Sequence, residues 1–174
     1  MRWVVIAIFA IVGFILALLA TGAMLPEKHV VSRSLTVSRP ISEVWQVLTD
    51  HAQDPTWRPD VESVGRVADR NGHSVWEEKY KNGDTMLIET TLVNAPQRME
   101  RKIVDQSAFG GVWVYELSSS GDGKATTIRI TENGEVYNPA FRLIGRFIIG
   151  LEATVEKYLS DLATKFGTKA EFGK

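Results

Sequence analysis

Hydrophobic residues fall along this chain in contrasting patterns: an unbroken run, then a series of alternations, then a stripe at helical spacing. The run comes first. From Trp3 to Ala20 no residue carries a charge, and the apolar character continues to Leu25. At about 1.5 Å per residue, a helix over this stretch covers a bilayer core of about 30 Å, with Trp3 at an interface. Residues 1–25 are therefore expected to form a single-pass N-terminal membrane anchor. A cleaved signal peptide is the rival reading, because Thr21-Gly22-Ala23 offers small residues for cleavage. Against it, the apolar run is longer than a usual signal core and only Arg2 precedes it. A buried globular helix is disfavoured, since a run apolar on every face needs more core than this chain supplies. Orientation stays open: Arg2 flanks one end, and Lys28, Arg33 and Arg39 follow the other.

Beyond Pro26 the pattern alternates. Lys28 to Ser38 reads as a strand, with Val30, Leu35 and Val37 its prominent apolar positions. A short amphipathic helix follows. Pro40 opens it in the first turn, where a missing N–H costs nothing, and Val44, Trp45, Val47 and Leu48 form its stripe. Asp50 and Asp54-Pro55 end it, leaving Trp57 between Pro55 and Pro59 in a rigid loop. Strands are then expected over 61–68, 74–81, 85–93, 97–105, 109–118 and 125–136. Asp69-Arg70-Asn71-Gly72 reads as a turn, and Asn82-Gly83-Asp84 gives a strong hairpin signal. Short turns between consecutive strands imply an antiparallel meander. Last comes one long helix, opened by Pro139 and closed by Gly167. Phe141, Ile144, Ile148, Leu151, Val155, Leu159, Leu162 and Phe166 recur along it at three- and four-residue spacing. Its stripe is expected to lie on the concave face of the sheet.

Composition narrows the function classes. The 174 residues are 44% hydrophobic and 24% charged, as in a globular protein rather than a disordered one. The net charge is −1, so no basic field favours nucleic acid. There is no cysteine, and His29, His51 and His73 lack metal-ligand spacing. No metal or cofactor is expected. No nucleophile elbow, phosphate loop or dinucleotide fingerprint occurs.

A specific combination remains: the strand Leu35-Thr-Val, then P-x-x-x-V-W-x-x-L-x-D from Pro40, then P-x-W-x-P around Trp57. It resembles the START-like (SRPBCC, polyketide cyclase–dehydrase) superfamily, over about Val30 to Phe166. The resemblance implies an α+β helix-grip fold, a curved antiparallel sheet of about six to seven strands wrapped on a long C-terminal helix. Residues 26–167 would be the ligand-binding domain and 168–174 a polar tail.

Period-two parity sorts the strands into faces. Trp76, Glu78 and Tyr80 are assigned inward, as are Met99, Arg101 and Ile103; Phe109, Trp113, Tyr115 and Leu117; and Ile128, Ile130 and Glu132. Glu78, Arg101 and Glu132 are polar intruders in an apolar interior, and a buried charge is costly unless paired. Three readings stand. Arg101 bridges one or both glutamates; or Glu132 lies at a solvated strand end or the parity slips by one; or the three converge on a ligand head group. Trp57 either plugs the core or gates a pocket. Gly145 and Gly150 cost helix stability, which close packing on the sheet or room for a ligand would explain. Asp50, His51 and Asp54 read as turn residues.

These positions predict an aromatic-lined pocket of Trp57, Trp76, Glu78, Tyr80, Arg101, Phe109, Trp113, Tyr115, Ile130, Phe147 and Leu151. The leading expectation is a membrane-anchored domain that binds or transfers a hydrophobic small molecule, such as a lipid, isoprenoid or polyketide-like compound. The alternative is a cyclase or dehydratase using Glu78, Arg101 and Tyr115. A third class is an accessory membrane protein with a vestigial pocket, although the sequence names no protein partner.

Overall fold

A computed structural model describes residues 2–173. Helix α1 (Arg2–Met24) carries the apolar run, is long enough to cross a membrane, and buries only Gly22 within the molecule. Pro26 separates it from β1 (Lys28–Val37), and α2 (Ile41–Thr49) follows. Pro40 stands one residue before α2, in an extended conformation, and its carbonyl accepts the first helical N–H bonds. It caps the helix rather than occupying the first turn. A 3₁₀ turn over His51–Thr56 leads to Trp57. Six strands then run as a meander: β2 (Val61–Arg70), β3 (His73–Tyr80), β4 (Thr85–Asn94), β5 (Arg98–Val104), β6 (Phe109–Ser119) and β7 (Thr126–Val136). With β1 they form one seven-stranded sheet, antiparallel throughout, in the order β1-β7-β6-β5-β4-β3-β2. Asn71 and Gly72 turn the β2–β3 hairpin with φ of 51° and 82°, the pair of positive values that a two-residue turn matched to strand twist requires.

The C-terminal helix is not the single rod that its periodicity predicts. α3 (Pro139–Ile144) passes into a π-turn over Gly145–Ile149, and the chain breaks at Gly150, which has φ 90° and ψ 136°. Helix resumes as α4 (Ala153–Lys165). Only α4 covers the sheet. Val155, Tyr158, Leu159, Leu162 and Ala163 pack into one core with Leu35, Val37, Met99, Tyr115, Leu117, Ile128 and Ile130, closed beneath by Val44 and Leu48 of α2. Before the break, Phe141, Ile144, Phe147, Ile148 and Ile149 are exposed. Gly150 therefore serves the break, not close packing: a Cβ there would meet only the Glu152 carboxylate at 3.7 Å. On β1, Val31, Leu35 and Val37 face the core, whereas Val30 points outward. The polar tail lies along the β1 edge, where Gly173 exchanges two backbone bonds with Ser34.

Candidate functional site

Parity and pairing lay out the concave face in rows. One row joins Leu35, Ile128 and Leu117; the next Arg33, Ile130, Tyr115 and Met99; the next Val31, Glu132, Trp113 and Arg101; and the outermost His29, Gly134, Gly111 and Ile103. Arg33 Nε reaches Glu156 Oε1 at 2.7 Å, fixing the start of α4 over the second row. His29 of the outermost row shares a cleft with Leu151, next to the helix break.

The closed end holds a buried ionic cluster. Glu78 is fully buried on β3, and its two oxygens are taken by Arg101 Nη2 at 3.0 Å and Arg58 Nη1 at 2.9 Å. Tyr80 donates its hydroxyl to Glu78 at 2.7 Å, and Arg58 donates to that hydroxyl at 3.1 Å. Asp54 Oδ2 completes the set, 3.2 Å from Arg58. Burial works against the Glu78 charge, but the Arg101 and Arg58 guanidiniums outweigh it and hold the carboxyl down at about 2. For Asp54, burial wins over Arg101 and Arg58, and its carboxyl rises to about 6. His51 packs edge-on to Trp76 at 5.1 Å. Burial and the neighbouring Arg101 push its imidazole down to about 2, so it stays neutral. Above the cluster Tyr158 meets Trp57, Trp113 and Tyr115 at ring separations of 5.3–5.9 Å. These aromatics and ion pairs fill the space between sheet and α4.

The open end is different. Glu132 is mostly buried, yet its Oε2 has no partner among the described residues. Burial raises its carboxyl to about 7, against a hydrogen bond from the Trp113 side chain. His29 Nε2 stands 3.6 Å from Glu132 Oε1, too far for a hydrogen bond, and burial lowers the imidazole despite the nearby Glu152 carboxylate. The pair is thus a carboxyl that burial keeps protonated up to about pH 7 beside an imidazole that burial biases to its neutral form, not a settled ion pair. Gly111, at φ 133°, has no room for a Cβ against the Asn133 carbonyl, so the chain keeps glycine there. Phe109, Trp113 and Ile103 are half-buried around this end. A cleft of about 30 Å³ opens beside it, lined by His29, Val136, Phe141, Arg146 and Leu151 among others.

The predicted residues divide between the two ends. Trp57, Trp76, Glu78, Tyr80, Arg101 and Tyr115 belong to the packed end, and Ile130 is fully buried beneath α4. Phe109 and Trp113 line the open end, and Leu151 borders its cleft. Phe147 leaves the group: it is 68% exposed on the far side of the helix break. Arg101 bridges only Glu78, because Trp113 on the intervening strand separates it from Glu132. Sequence reasoning missed Arg58, Tyr158 and His29, and read His51 and Asp54 as turn residues, although both are buried. The four-residue spacing of Asp54 and Arg58 across a Pro-Thr-Trp loop was the available signal.

A helix-grip sheet, filled at one end and half-open at the other, defines a START-like domain. The chain belongs to the family described as polyketide cyclase / dehydrase and lipid transport, whose model matches residues 28–167. Solved structures agree on the fold. A conserved protein from Geobacillus kaustophilus is 15% identical with a TM-score of 0.66, covering 84% of this chain and 100% of its own. The Zhui aromatase/cyclase from Streptomyces sp. R1128 is 15% identical at 0.64, covering 80% and 92%. A START superfamily protein from Mycobacterium smegmatis is 15% identical at 0.62, covering 80% and 97%. No curated protein matches in sequence.

Proposed function

We propose that this chain is a membrane-held domain that binds a hydrophobic small molecule, a lipid, isoprenoid or polyketide-like compound, at the open end of the grip. The observation that carries this reading is the helix break at Gly150. It leaves the outermost row of the concave face, none of which joins the core beneath α4, without the helical cover of the inner rows. An apolar body fits against Phe109, Trp113 and Leu151, and a polar end fits the unpartnered Glu132 oxygen, the division of labour usual in such sites. The 30 Å³ cleft has room for a water or two and nothing larger. Uptake therefore requires the Gly145–Leu151 segment to move, as lid segments do. The family's lipid-transport description supports the ligand class, and α1 supports the membrane address.

The test is to extract bound compounds from the full chain, purified in mild detergent, and identify them by mass spectrometry beside an Ile103→Trp variant that fills the open end. A discrete compound at near-stoichiometric amount in the parent, and lost from the variant, is expected. Identical extracts from both would overturn the reading.

One observation favours a second reading, a cyclase- or dehydratase-like enzyme. Glu132, held protonated to about pH 7 beside His29, is a better proton donor than Glu78, whose oxygens are both occupied by guanidiniums and which stays ionised to about pH 2. Turnover of a polyketide-like substrate that vanishes in Glu132→Gln while binding persists would favour it.

A further inference from the structure

The apolar residues stranded before the helix break are not scattered. Phe147, Ile148 and Ile149 are 68%, 78% and 62% exposed, and Phe141 and Ile144 extend the same patch along α3. Exposed apolar groups of this density need a partner. Their position says which. α1 packs against α3 at Gly22, where any Cβ would collide with the Pro139 carbonyl. Arg142, buried on α3, clamps the joint. Its Nε donates to the Val136 carbonyl at 2.7 Å, its Nη1 to the Leu25 carbonyl at 3.3 Å, and its Nη2 to Tyr137 at 2.9 Å and Glu27 at 2.5 Å. The exposed patch is thereby held beside the last turn of α1, where a spanning helix of 23 residues, about 34 Å long, leaves the hydrocarbon. Arg146 and Lys28 border the cleft next to the patch, and long cations of this kind reach head groups while their stems stay in apolar surroundings.

We infer that the Phe141–Ile149 segment is a second membrane contact, seated in the lipid interface beside α1, so that the open end of the grip faces the bilayer. This rests on α1 being a membrane span. It extends that reading by fixing which face of the domain meets lipid. Short apolar segments that lie in the interface bind by the area they bury there. A hydrophobic ligand then passes between bilayer and grip beneath the Gly145–Leu151 segment without crossing water.

Because the chain has no cysteine, single-cysteine variants can be spin-labelled without background. Val12→Cys in α1, Ile148→Cys in the patch and Ser63→Cys on β2 are labelled in the full chain and reconstituted in phosphatidylcholine–phosphatidylglycerol vesicles. Collision with oxygen is compared with collision with a water-soluble nickel chelate. Expected is oxygen dominance at 12 and at 148, and nickel dominance at 63. Oxygen dominance at 12 with nickel dominance at 148 overturns the inference and leaves the span intact. Nickel dominance at 12 overturns the span itself. Protection of 148 from both reagents, with spin–spin broadening, means that a second copy covers the patch, and this also overturns the inference.

Discussion

Glu132 and Glu78 are both glutamates on the inner face of one sheet, and their surroundings drive them in opposite directions. Glu78 has a guanidinium on each oxygen and is held at about 2. Removing one partner from such a cluster leaves a buried charge uncompensated, which costs about 3–5 kcal/mol. Arg101→Met should lower stability by that order, read from denaturant midpoints, whereas joint replacement of Glu78 and Arg101 by Leu and Met should cost less than the single change. Glu132 has no guanidinium, and burial lifts it to about 7 from an ordinary value of 4.5. The native state then keeps a proton that the unfolded chain has lost between pH 4.5 and 7. Stability from this group is full below pH 4.5 and is lost as pH rises through 7. Glu132→Gln should match the parent at pH 4, gain on it through that window, and stand about 1–3 kcal/mol more stable at pH 8. A constant difference across pH would show that burial does not hold the proton.

At the scale of elements, the C-terminal helix separates what sequence reveals from what it hides. The meander was legible: turn residues such as Asn82-Gly83-Asp84 punctuate it, and alternation in the strands over 74–81 and 97–105 placed Glu78 and Arg101 inside, where both are buried. The broken helix was not. Phe141, Ile144 and Ile148 continue the period of Val155, Leu159 and Leu162, and period alone cannot say whether a stripe meets a sheet or something outside the molecule. Gly150 carried the warning, though a glycine in a helical pattern has several meanings. The two glycines now make opposite predictions. Gly150→Ala puts a Cβ where φ is 90° and should destabilise by about 1–3 kcal/mol. Gly145 has φ −61°, and a Cβ there would make only an ordinary contact with Leu151 Cδ2 at 3.8 Å, so Gly145→Ala should be neutral or stabilising by up to about 1 kcal/mol. Thermal unfolding of the two variants side by side checks this.

For the whole molecule, the candidate site is less legible than the fold because it depends on which parts of the concave face are covered. That coverage follows from where α4 starts, just after the break at Gly150, with Glu156 of its first turn bound to Arg33. Arg58 and His51 escaped sequence reading for a related reason: they reach the interior from a loop, which has no periodicity to expose them.

The Gly22–Pro139 contact and the Arg142 clamp also determine how far the domain can reach. Only Leu25, Pro26 and Glu27 lie between α1 and β1, and Arg142 binds the first and the last of them, so the domain is a fixed fitting rather than a body on a tether. A tethered domain explores a volume that grows with its linker; this one explores none beyond its own footprint. With α1 as the membrane span proposed above, a ligand or partner must arrive by diffusion in the plane of the bilayer, and encounter rates should scale with the number of molecules per unit area of bilayer rather than with concentration in the surrounding solution.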